Sequence, residues 1–307
     1  MMAGQPELDQ DALAESRSWL FSHGRPLEQR LFEHFFDGAP AGPALAALGE
    51  YQNDDGGFGR ALEPDIRSDA SSALATTVAL QWLLQLPAGD DDPRVSGAAS
   101  WLREQFLEHF TAWQIIPVET RDAPHAPWWT WHGDVRRMGA NPRAEILGYM
   151  YAWPNLFPAE MRERVLEQVL QQLEGEGEDI EMHDLLCYLR LLDARGLPPG
   201  LADHLRGRLG PVSQAALAAS SGLGYGLSVL QVAPSAQAPL ADLFAQDTGP
   251  ALERLIGERR PEGYWQPSWT WGSAPEPAWA EAEADWRSVL TLDSLLVLAR
   301  HGALRRG

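Results

Sequence analysis

Residues 70–86 read ASSALATTVALQWLLQL, seventeen residues without a charged side chain. The run is long enough for a helix of several turns and too short to span a bilayer, which takes about 20 residues. A helix apolar nearly all round must be covered nearly all round. Residues 286–299, WRSVLTLDSLLVLA, have the same character, with Arg287 and Asp293 as the only charges. Residues 144–153 and 182–192 are mostly apolar too. Asp293 must either pair with a cation or line a cavity, because an unpaired buried carboxylate is costly.

Helices of a second kind lie between these. In 158–173, Met161, Val165, Val169 and Leu173 recur every fourth residue, with Glu160, Arg162, Glu163 and Glu167 on the other side. Residues 94–110 are similar, with Val95, Ala98, Leu102 and Phe106 three or four residues apart, and Leu201, Leu205 and Leu209 mark a shorter example. No run alternates with the period of a strand. Buried helices alternating with one-faced helices are what an α/α toroid requires, an inner ring enclosed by an outer one. The expectation is an all-α chain, a single α/α-toroid domain over 1–307 with about ten to twelve helices. Segments 53–69, 111–140, 174–179, 211–248 and 258–283 lead from outer to inner helices, whereas returns such as 154–158 are short. In a toroid the long connections collect on one rim. Loops beyond about 12–15 residues in a compact domain are commonly functional.

Composition narrows the function. The chain has 307 residues, 45% of them hydrophobic and 22% charged, with 43 Asp and Glu against 24 basic residues, a net charge of −19. That field repels phosphate backbones and anionic lipid, so no nucleic-acid partner is expected. All the basic residues are Arg, which excludes a Schiff-base or P-loop lysine. The polar, acidic start is unlike a signal or transit peptide, Cys187 is the only cysteine, and no stretch is apolar enough to span a membrane. A cytoplasmic location is therefore expected.

Two stretches resemble each other: ALAALGEYQNDDGGFG, residues 44–59, and ALERLIGERRPEGYWQ, residues 251–266. Each is a short helix, a polar turn, a glycine and an aromatic, followed by an apolar helix. A degenerate third copy runs through 101–114. Glycine supplies a positive φ in such a turn, and the aromatic plugs between helices. Gln52, Asp55, Gly56, Gly57 and Phe58, with a looser match at Gly263–Trp265, resemble the QW repeats of squalene–hopene cyclases and the related repeats of protein prenyltransferase β subunits. The chain is similar to single-domain bacterial members of that terpenoid cyclase and prenyltransferase superfamily. The resemblance implies the toroid, and a cavity for an apolar or terpenoid-like substrate. The Asp-x-Asp-Asp acid of the cyclases is missing: the nearest runs are Asp90–Asp92 and Asn53–Asp55. Cys187 does not stand in the Asp-x-Cys pattern of the prenyltransferase zinc site, and His183 with Cys187 nominates no third metal ligand, so no metal or cofactor is expected.

Thirteen Trp residues are present, and eight fall in the loops 111–140 and 258–283. Trp128, Trp129, Trp131, Trp265, Trp269 and Trp271 are the candidate substrate-binding residues, since indole faces stack on sugars, bind carbocations or cover hydrocarbon. The alternative is that they plug gaps. His132, Asp134, Arg136 and Arg137 lie beside the first three. Glu63, Asp65, Glu145, His183 and Asp184 stand at or just before the first turns of inner helices. They are candidate catalytic acids, bases or polar anchors, or alternatively helix caps. Three functions follow: an enzyme acting on a small apolar or terpenoid-like molecule, a carbohydrate-active enzyme using paired carboxylates and Trp platforms, or a non-catalytic binding module.

Overall fold

The computed structural model describes residues 6–133, 139–177, 179–220, 225–272 and 276–305. Its described residues form twelve α-helices and no strand. These are α1 (Gln10–His23), α2 (Pro26–Phe36), α3 (Gly42–Gly49), α4 (Ala73–Gln85), α5 (Pro93–Glu104), α6 (Arg143–Ala152), α7 (Ala159–Gly175), α8 (Met182–Leu192), α9 (Pro199–Ser220), α10 (Val229–Val232), α11 (Ala245–Gly257) and α12 (Glu276–Arg300). The fold class is all-α, as the helical periodicities require. The chain divides into two compact units, one of residues 48–216 and one built from both chain ends, 1–47 and 217–307.

In the 48–216 unit, α6 packs against α4, α7 and α8. Its residues 143–150 are all buried. α7 buries only the stripe Val165, Val169 and Leu173, and α5 only Val95, Ala98, Ala99, Trp101 and Leu102. Here α6 is an enclosed helix, and α5 and α7 are one-faced. Caps fix the starts. Ser72 accepts from the Ala75 N–H on α4, Asp92 from Arg94 on α5, and Glu181 from His183 and Asp184 on α8. The 53–69 and 111–140 loops are tied together: the Arg67 N–H donates to the Pro124 carbonyl at 2.9 Å and the Ala126 N–H to that of Asp65 at 2.8 Å.

In the unit of the chain ends, α1, α2 and α12 pack on one another around Leu20, Leu27, Leu31, Phe32, Leu292, Leu295 and Leu298. The ends are joined by hydrogen bonds of Leu8 with Ala303 and Arg305. Arg25 and Glu28 form a buried ion pair, and the Ser288 hydroxyl accepts from the Arg25 N–H at 2.9 Å.

One expectation is corrected. Neither α4 nor α12 is covered all round. On α4, Leu74, Val78 and Gln81 are half-buried and Gln85 is exposed; on α12, Trp286, Leu290 and Val297 are half-buried and Asp293 is exposed. Asp293 is tolerated in an apolar run because it stands on the open stripe of α12, where it is exposed.

The two resembling stretches build the same turn. In the first, the Asn53 N–H donates to the Gly57 carbonyl and the Gly56 N–H to that of Asn53; in the second, Arg260 donates to Tyr264 and Gly263 to Arg260. Both glycines have positive φ, 89° at Gly56 and 103° at Gly263. Each is pressed on a helix backbone. A Cβ on Gly56 would stand 2.6 Å from the Gly97 carbonyl of α5, and one on Gly263 would stand 2.8 Å from the Glu15 carbonyl of α1. The residue opening the turn clamps the same helix one turn earlier: Gln52 donates to the Arg94 carbonyl at 3.1 Å and Arg259 to that of Ala12 at 2.8 Å. The aromatic closing the turn is fully buried, and its N–H is received by a threonine of the following apolar helix, Phe58 by Thr76 at 3.0 Å and Trp265 by Thr291 at 3.1 Å.

Thr76→Val and Thr291→Val keep the side-chain shape and remove that acceptor. Each should lower the free energy of unfolding by about 1–3 kcal/mol, the cost of a buried donor left unsatisfied, read as a fall in urea midpoint with helical circular dichroism unchanged.

Candidate functional site

In the 48–216 unit the repeated turn faces a cleft of 550 Å³. Part of its lining is a hydrogen-bond relay. Asp55 accepts from the Gly57 N–H at 2.9 Å, the Ser71 hydroxyl at 2.7 Å and the Trp101 indole N–H at 3.1 Å. The Asn53 amide donates to Ser71 at 2.9 Å and to the Asp69 carbonyl at 2.8 Å. Arg60, at φ 54°, reaches back to Asn53 and to the Glu50 carbonyl, both at 2.9 Å. The rim differs. Asp54, Asp69 and Glu119 are exposed lining residues, and their carboxylates meet no hydrogen-bond donor or cation among the described residues. Gln105 also lines the cleft, two helical turns beyond the backbone on which Gly56 rests. Polar groups fixed by hydrogen bonds within the chain, beside carboxylates that no donor of the described residues engages, suit a binding site.

The residues nominated from the sequence lie elsewhere. Glu145 is buried at the junction of α4, α6 and α8. It accepts from Gln81 at 2.8 Å, from Arg190 at 2.9 Å, from the Tyr149 hydroxyl, and from the Cys187 thiol at 3.6 Å. Four donors consume its lone pairs, so it ties three helices together and has no acceptor capacity to spare. Burial, reinforced by the Glu145 charge, pushes both the Tyr149 hydroxyl and the Cys187 thiol well above their ordinary pKa values. Asp184 receives the Asn141 N–H at 2.6 Å and so fixes the chain entering α6; burial raises its pKa, and that N–H opposes the rise. His183 is half-exposed and pairs with Glu181 at 2.7 Å. Asp65 is buried and Glu63 half-buried, and both are engaged by other groups.

The tryptophans divide between the units. Trp128, Trp129 and Trp131 belong to 48–216, and Trp265, Trp269 and Trp271 to the unit of the chain ends. Trp128 is 49% exposed. Trp131 carries the Arg121 guanidinium 3.9 Å from its ring centroid. Trp265 and Trp271 are core residues, the former donating its indole N–H to the Leu255 carbonyl at 2.7 Å. Trp269 packs edge-on against Trp286 and Tyr225. Asp134, Arg136 and Arg137 lie outside the described residues.

Sequence reasoning passed over Asp54, Asp69, Glu119 and Trp101. It placed Asp55 in the repeated turn and took 53–55 as a failed acid motif, although a polar run abutting two glycines is itself a signal of carboxylates held at a turn. Among the described residues, no group of three or more His, Cys, Asp or Glu is placed to hold a metal ion, and no helix is long and apolar enough to cross a membrane. Comparison with known protein-family models, curated proteins and solved structures returns no match.

The raised pKa of Cys187 fixes a sign. A thiol that holds its proton more tightly in the folded chain contributes stability in full below its unfolded pKa of about 8.5, and that contribution is lost as pH rises above it. Unfolding free energy should therefore fall from about pH 8.5 upward, and Cys187→Ala should flatten the fall, as read in urea titrations across the alkaline range.

Proposed function

We propose that the cleft over the Asn53–Phe58 turn binds a small hydroxyl-rich, sugar-like ligand that is neutral or carries an amine. The observation carrying this reading is that Asp54, Asp69 and Glu119, which no donor of the described residues engages, line the same cleft as the hydrogen-bonded Asn53, Asp55 and Ser71. Planar carboxylate, amide and guanidinium groups match the paired donors and acceptors of adjacent hydroxyls. The charge balance of the rim disfavours an anionic ligand. Of the three functions expected from the sequence, the carbohydrate and binding-module readings draw support from these groups. The terpenoid-like reading draws less, because Trp265 and Trp271 are committed to a core. The enclosed α6, flanked in sequence by the one-faced α5 and α7, supports a toroid-type arrangement. The surplus of carboxylates speaks against a nucleic-acid partner, and the single buried thiol is in keeping with a cytoplasmic setting.

One ring in three charge states tests this. Glucose or glucosamine should raise the melting temperature, glucuronate should not, and farnesol, an apolar terpenoid alcohol, should not. Asp69→Asn and Glu119→Gln should each weaken the bound sugar about tenfold, about 1.4 kcal/mol, without changing the melting temperature of the free protein. Stabilisation by farnesol alone, or sugar binding indifferent to both substitutions, would overturn the reading.

A further inference from the structure

The second copy of the turn faces a cleft of its own, 720 Å³, lined by α1 and Glu262. Its parts correspond to those of the first. Trp19 and His23 stand one and two helical turns beyond Glu15, where Gly263 rests, as Trp101 and Gln105 stand beyond Gly97, where Gly56 rests. Glu262 precedes the turn glycine as Asp55 does.

The two copies differ in one respect that bears on binding. Asp55 takes the indole N–H of Trp101. Glu262 and Trp19 make no such bond, and neither the Glu262 carboxylate nor the Trp19 indole N–H has a hydrogen-bond partner among the described residues. A donor–acceptor pair closed in one copy is open in the other.

The remaining groups of this cleft are almost all acceptors. Ser18 and Ser22 have spent their protons on the Ala14 and Ser18 carbonyls, at 2.9 and 2.8 Å, and present lone pairs only. The His23 Nδ1 lies 3.2 Å from the Trp19 carbonyl and donates to it, which in the neutral ring leaves Nε2 as an acceptor. Glu15 is paired with Arg259 at 2.9 Å. Asp11 and Glu262 are exposed and meet no cation among the described residues. Beside these acceptors runs an aromatic ladder, His23 stacked on Trp19 and Trp19 on Tyr264, with centroids 5.5 and 4.7 Å apart. The ladder already holds one guanidinium, that of Arg287, 5.2 Å from the Tyr264 centroid.

From this geometry we infer that the cleft of α1 and Glu262 is a binding site for an organic cation of the guanidinium class. The ligand supplies the donors that the cleft lacks. Its charge is met by Glu262 and Asp11, and its planar group by the aromatic ladder. The inference is independent of the sugar-like ligand proposed for the other cleft.

Calorimetric titration of the full chain tests it, with agmatine as the cation and N-butylurea as the planar uncharged counterpart. Agmatine should bind saturably and N-butylurea should not. Glu262→Gln should weaken agmatine about tenfold, whereas Glu253→Gln, which removes the same charge from an exposed position on α11, should leave it unchanged. Three results would overturn the site: equal binding of N-butylurea, equal loss in both variants, which would reveal diffuse attraction to an acidic protein, or no saturable agmatine binding in the millimolar range.

Discussion

The contact on which each unit depends is a backbone resting on a backbone. Gly56 lies against α5 at Gly97, and Gly263 lies against α1 at Glu15. A side chain at either glycine would hold the turn away from the helix, and the positive φ would strain it as well. Close approach has consequences on both sides of the turn. It brings Gln52 or Arg259 within reach of a helix carbonyl, and it drives Phe58 or Trp265 into the core, where a threonine of the next apolar helix receives the aromatic residue's own N–H. The same seating sets Trp101 or Trp19 beside the acidic residue of the turn, so each candidate cleft follows from the helix on which its glycine rests.

Polar groups divide into those the fold has spent and those it has left open. Glu145 is spent, its four donors drawn from three helices. Breaking such a cluster leaves buried donors unsatisfied, so the cluster specifies how α4, α6 and α8 meet. Arg190 is 43% exposed, and its pairing with Glu145 is correspondingly screened by water. Asp54, Asp69, Glu119 and Glu262 are open. Carboxylates of this kind raise the local concentration of a neutral donor or a cation and repel anions.

Much of the fold was legible in the sequence because burial leaves a period. Val165, Val169 and Leu173 announced a one-faced helix and are the buried stripe of α7. The uncharged run at 70–86 announced an enclosed helix, but Leu74, Val78 and Gln81 form a half-open stripe, and periodicity cannot tell a covered apolar side chain from a half-covered one. The repeated turn was legible through its glycines and aromatics, which backbone geometry demands at fixed positions. The site was less legible. Glu145 and Asp54 are both carboxylates in the sequence, and only the donors brought by distant helices separate a spent group from an open one. Trp265 and Trp128 were equally plausible platforms, yet one is a core plug and the other is half in solvent.

Glycine-to-alanine substitution at three positive-φ sites tests the central contact. Gly38 shares the conformation, at φ 73°, but nothing lies within 4 Å of its Cβ position. Gly38→Ala therefore reports conformational strain alone, about 1–2 kcal/mol. Gly56→Ala and Gly263→Ala should each lose at least about 2 kcal/mol more, because the turn must also lift from the helix beneath it. If all three variants unfold with the same free energy, the backbone contact is not what seats the turns, and the account of both clefts falls with it.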